Sequence, residues 1–115
     1  MVDRILRWYI PGEQSRIEQV GGTYYLDDDY VPVWVHLSLK KPINGARPIK
    51  IDITSDGDSI FDEKPALVNG QFDHLWTTIS CGILREHSVM KLYRDQIANI
   101  YAGEDLTVEL GLKLD

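Results

Sequence analysis

Basic residues, cysteine and long apolar runs are all scarce in this chain, and each shortage closes a class of function. Of the 115 residues, 12 are Lys or Arg against 18 Asp or Glu, a formal net charge of −6. Basic side chains that are outnumbered and scattered make no counterion-releasing patch, so no direct nucleic-acid partner is expected. The single cysteine, Cys81, leaves nothing for an internal disulfide or a multi-thiolate zinc site. No apolar run approaches the ~20 residues of a membrane-spanning helix, so no membrane partner is expected. A hydrophobic fraction of 43% excludes a disordered tail, and the length suffices for one core without staples. The expectation is one domain over residues 1–115.

Catalytic signatures are missing as well. His36, His74 and His87 show neither HxH nor HxxxH spacing, and no GxSxG elbow, P-loop or GxGxxG loop occurs. No catalytic residue and no cofactor is assigned, and a non-enzymatic protein is expected.

What the chain does have is alternation. Val31, Val33, Val35, Leu37 and Leu39 alternate with Pro32, Trp34, His36, Ser38 and Lys40. Ile49, Ile51 and Ile53 form a second stripe, and Leu106, Val108, Leu110, Leu112 and Leu114 a third. Side chains on a strand point alternately to its two faces, so these are three half-buried strands. Weaker patterns predict strands over 4–10, 23–26, 72–80, 89–93 and 97–101, with a short piece at 59–61. Pro11-Gly12, Gly21-Gly22, Asn44-Gly45, Asp56-Gly57, Asn69-Gly70 and Ala102-Gly103 punctuate the runs as turns. The stretch 80–92 predicts at most a helical turn. About eight short strands at roughly ten-residue spacing predict an all-β fold, a single antiparallel β-sandwich of the jelly-roll kind.

Two acidic clusters invite a metal reading. Asp52 to Asp58, with Glu63 beyond, imitates a calcium loop but lacks flanking helices, and Ser59 stands where that loop wants an apolar residue. A hairpin with its tip at Ser55-Asp56-Gly57-Asp58 accounts for it better. Asp27, Asp28 and Asp29 could together hold a hard cation, yet a lone acidic triplet is more often a solvated loop, so no metal is assigned.

The aromatics point outward. Trp34 and His36 lie opposite the Val31 to Leu39 stripe, and Trp8, Tyr24, Tyr25 and Trp76 are further large groups in or near strands. Side chains of this size on a polar face call for a covering partner, so these six are the interface candidates, with self-association as the first expectation. A second reading is a carbohydrate-recognition module in which the aromatics stack on a host-surface glycan and calcium at Asp27 to Asp29 orients sugar hydroxyls.

A series of motifs runs through nearly the whole chain: Trp8-Tyr9-Ile10-Pro11-Gly12, then Pro42 and Gly45 in a loop, then Ile51-Asp52-Ile53 followed by Gly57-Asp58-Ser59-Ile60-Phe61 and Lys64-Pro65. It continues with Arg94-Asp95-Gln96-Ile97 and closes on Gly103-Glu104-Asp105-Leu106-Thr107-Val108. This series resembles the β-sandwich structural proteins of tailed bacteriophages, found as head decoration, collar, tail or fibre modules. The chain departs from that pattern between Cys81 and Leu92, where Arg85-Glu86-His87 replaces small polar residues. The resemblance implies a virion protein that self-associates, commonly as a trimer, and docks on a larger capsid or tail component. It implies no catalytic residue. An acidic start, Met1-Val2-Asp3-Arg4, is unlike a secretory leader, so synthesis in the host cytoplasm is expected. A charge of −6 suits the outside of a particle filled with DNA.

Overall fold

A computed structural model describes residues 2–115. Nine strands form two antiparallel sheets: β1 (Arg4–Glu13), β2 (Glu18–Tyr25), β3 (Tyr30–Lys41), β4 (Ile49–Ser55), β5 (Asp58–Ser59), β6 (Ala66–Leu67), β7 (Asp73–Trp76), β8 (Val89–Gln96) and β9 (Glu104–Leu114). Sheet A has the order β1-β9-β3-β7 and sheet B the order β2-β8-β4-β5, with β6 beside β4. No helix occurs among the described residues.

The order has a simple logic. The strands pair in a nest, β1 with β9, β2 with β8, β3 with β7 and β4 with β6, and at the centre of the nest β4 also pairs with β5. The polypeptide is thus one long nested ribbon that alternates between the sheets on either side of the central β4, β5 and β6, which stay together in sheet B, and this is the expected jelly-roll topology. The tip of the ribbon is the Asp56-Gly57 turn, where Ser55 faces Asp58 and φ is +51° and +89°. Two consecutive positive φ values define a type I′ turn, whose twist matches the strands it joins. The Asp56 carboxylate accepts from the Val89 amide at 2.8 Å, fastening the tip to β8.

Between the sheets lies one core, including Leu6, Trp8, Val35, Leu37, Ile49, Ile51, Ile53, Leu92, Val108 and Leu110. The Ile49 stripe is buried as expected. Along β3 the expected stripe breaks. Val35, Leu37 and Leu39 point inward, whereas Val31 and Val33 are exposed, and Tyr30 and Pro32 are buried in their place. Pro32 faces Leu112 while Trp34 faces Gly111, so Val33 is an extra residue that reverses the parity of the strand. Leu114, at the end of the third stripe, is also exposed.

Other strand limits differ for identifiable reasons. The 97–101 segment is a loop, because only Tyr101 pairs, in an isolated bridge with Asn44. The 72–80 strand shrinks to β7, since residues beyond Trp76 leave the edge of sheet A. The 23–26 strand begins earlier, at Glu18, because Gly21-Gly22 makes no turn. Instead it forms a bulge inside β2, where Val20 pairs with Leu92 and Tyr24 with Met90. The Trp8 indole lies under this bulge: its Nε1 donates to the Gly22 carbonyl at 2.8 Å, and its ring meets Tyr24 edge-on at 5.2 Å.

The crossing from β1 to β2 is held by a buried polar knot. Gln14, fully buried, donates through Nε2 to the carbonyls of Ile10 and Gly12 at the end of β1. Its Oε1 accepts from Arg94 at 2.7 Å, and Arg94 also donates to the Arg16 carbonyl and to Glu18 at 3.0 Å. Burial pulls the Arg94 pKa down while the Glu18 carboxylate pushes it back up. At the same end of the sandwich the Tyr101 hydroxyl donates to Glu104, which pushes its pKa up to about 12.

Two outcomes are expected. Gly21 combines φ of +70° with a position where a Cβ would stand 2.9 Å from Trp8, whereas Gly22 has open space. Denaturant midpoints should therefore show Gly21→Ala destabilised by roughly 1–3 kcal/mol and Gly22→Ala within about 0.5 kcal/mol of the parent. The raised Tyr101 value means that its share of stability is complete below the ordinary phenol range and is lost as pH rises through about 12. The alkaline fall in stability should be shallower in Tyr101→Phe, and tyrosinate absorbance should show one fewer late-titrating phenol.

Candidate functional site

The outer face of sheet A sets charged, aromatic and aliphatic side chains beside one another. Because Leu6 and Trp8 point inward, their neighbours Ile5, Arg7 and Tyr9 point out, and the same parity exposes Thr107 and Glu109 on β9 and Ser38, His36 and Trp34 on β3. Pairing sets them in rows across the strands. Ile5 faces Gly111, which faces Trp34. Arg7 faces Glu109, which faces His36, which faces Leu75. Tyr9 faces Thr107, which faces Ser38, which faces Asp73.

The middle of this face is a charged ladder. Arg7 Nε donates to Glu109 Oε2 at 2.9 Å. Glu109 Oε1 lies 3.6 Å from His36 Nδ1, and His36 Nε2 lies 3.4 Å from Asp73 Oδ2. Both imidazole nitrogens thus face carboxylates, of which a neutral ring can donate to only one at a time. Around the ladder stand apolar groups: Ile5 is 44% exposed and Tyr9 and Leu75 are each 57% exposed. Trp34 lies over Gly111, where a Cβ would stand 2.5 Å from the indole, so the glycine lets the ring lie down on the sheet.

The six aromatic and histidine candidates are thereby separated. Trp34 and His36 share the sheet A face. Trp8 is 2% exposed and belongs to the core, which removes it as a contact anchor. Tyr24 packs on Trp8 and donates its hydroxyl to the Arg7 carbonyl at 2.6 Å, so it guards the edge of β1. Tyr25 projects from β2 at the far edge of sheet B, 66% exposed. Trp76 packs against the core from the inner side of β7, with His74 beside it at 5.5 Å.

Asp27, Asp28 and Asp29 do not converge. Asp27 accepts from Tyr30 at 2.7 Å and from Arg4 at 2.6 Å, and its pKa is lowered, chiefly by the Tyr30 hydroxyl. Asp28 accepts from the Asp29 amide, while Asp29 accepts from the Glu86 amide and approaches Arg85 at 3.5 Å. Each carboxylate holds its own part of the loop, and among the described residues no three His, Cys, Asp or Glu side chains are arranged to share a metal ion. Asp52 likewise is a structural carboxylate, accepting from Ser59 and lying 3.8 Å from Lys64. The half-buried Cys81 has its thiol pKa raised by burial, the opposite of an activated nucleophile.

Ile5, Arg7, Tyr9, Asp73, Leu75 and Glu109 were not among the expected site residues. The alternation of β9 carries a signal for its faces, that of β1 does not, and the contact of Arg7 with Glu109 depends on pairing the two ends of the ribbon. Among the described residues no helix is long and apolar enough to cross a membrane. Comparison with protein-family models, with curated proteins and with solved structures returns no match to this chain.

Proposed function

We propose that this chain is a non-enzymatic structural module of a tailed-bacteriophage virion, a β-sandwich that self-associates and docks on a larger capsid or tail component. The observation that carries the reading is the outer face of sheet A. The exposed Ile5, Tyr9 and Leu75 and the half-buried Trp34 surround the charged ladder on the solvent side of a sheet whose other side already fills a core. Grouped apolar side chains on a rigid surface favour contact with another protein. The jelly-roll topology is compatible with this use, being a frame for capsid and lectin domains alike. The net charge of −6 supports a place on the exterior of a particle that encloses DNA.

A calcium-assisted glycan site has weaker support, because the Asp27, Asp28 and Asp29 carboxylates are already taken by protein partners. The stacking surface of Trp34 is also halved, one side lying on Gly111.

Density-gradient sedimentation of intact particles, from cells in which the chain is made during phage growth, tests the proposal. The chain should band with the particles at a fixed copy number and resist a salt wash. A chain that stays at the top of the gradient overturns the assignment.

A further inference from the structure

The order of charges across sheet A says what covers it. Counted from β1 to β7 the ladder reads Arg7, Glu109, His36, Asp73: cation, anion, imidazole, anion. Two copies of a sheet laid face to face around a two-fold axis have two limiting arrangements. With the axis across the strands and through this row, the row repeats itself in the same order, Arg7 over Arg7 and Glu109 over Glu109, which is repulsive. With the axis along the strands, the row is reversed. Glu109 of one copy then lies over His36 of the other, and Arg7 lies over Leu75, beside the Asp73 carboxylate that reaches from the next row toward His36. The same reversal sets the Trp34 rings of the two copies, each lying on its own Gly111, against one another.

We infer that a second copy of this chain covers the outer face of sheet A, in a two-fold dimer whose axis runs along the strands and which pairs Arg7 with Asp73 between copies. The inference rests on the reading of that face as a contact surface and adds the partner and the geometry. The symmetry is a consequence of the charge order: a row that matches its own reversal closes after two copies. A trimer, which the phage resemblance implies, would need two different matching patches, and the ladder supplies one that is complementary to itself.

The size of the face sets the strength. Four strands at ~4.8 Å and strands of about nine residues at ~3.4 Å give a face whose pairing buries on the order of 1,000 Å² in total. That is the lower end for specific interfaces, so association in the micromolar range is expected, with charge pairing fixing register more than adding affinity.

Analytical ultracentrifugation of the isolated chain over micromolar to millimolar concentration is the test, with Arg7→Asp, Asp73→Arg and the double exchange compared. The wild type should rise from monomer to dimer mass. Each single reversal should weaken association about tenfold, and the double exchange should recover most of it. Thermal melts of each variant at a concentration where it is monomeric separate loss of pairing from loss of fold. A chain that remains monomeric, one that reaches trimer mass, or a double exchange no better than a correctly folded single variant overturns the inference. Because this experiment uses no particles, its failure is distinct from failure to band with virions.

Discussion

Arg94 is a cation with little exposed surface at the corner where β1 gives way to β2, and its needs shape that corner. A desolvated guanidinium must be matched by acceptors, and truncating one member of such a group costs several kcal/mol because the others are left unpaired. Here the acceptors are the Gln14 side chain, the Arg16 carbonyl and Glu18, all on the segment that carries the chain from sheet A to sheet B. Gln14 passes the interaction on, using its amide hydrogens to satisfy the last carbonyls of β1. One charge on β8 thereby closes the exposed end of β1, fixes where β2 begins, and brings the Gly21-Gly22 bulge down over Trp8. The Tyr24 hydroxyl completes the same edge by capping the Arg7 carbonyl.

That closure separates the two edges of sheet A. On the β1 side, carbonyls that would otherwise invite another strand are occupied by side chains of the same molecule. What sheet A leaves open on that side is its outer face. The face is rigid because each outward residue is anchored between inward neighbours such as Leu6, Trp8, Val35, Leu37, Val108 and Leu110.

Much of this was legible in the sequence, and the unreadable parts have physical causes. The Ile49, Ile51 and Ile53 stripe and the Asp56-Gly57 tip are local signals, one of period and one of turn chemistry, and both are found where expected. The reversal at Val33 is not local. It exists because Pro32 and Trp34 pair with adjacent residues of β9, and nothing near Val33 in the sequence displays that partner. Trp8 was misplaced because β1 carries bulky residues on both faces, with Ile5 beside Leu6 and Tyr9 beside Trp8, so its alternation does not say which face is buried. The charged ladder was invisible for the same reason as the bulge: its four members come from four strands whose adjacency is a property of the wound ribbon.

The nested pairing also governs how such a ribbon can form. Only β4 and β5 are joined by a tight turn. Every other pair in the nest closes a loop that contains all the pairs inside it, out to Arg4 with Leu112. Loop-closure entropy favours forming the shortest pair first, so the hairpin at Asp56-Gly57 is the natural starting point and the β1–β9 pair the last to zip. Folding of this kind belongs to the slow, non-local class, on the order of milliseconds to seconds. During that interval β1, which carries Ile5, Arg7 and Tyr9, is an unpaired strand, while β9 can already pair with β3 through a shorter loop. The β1 side of the sheet A face is therefore the last part of the protein to come into existence, and a chain still folding has no complete sheet A face.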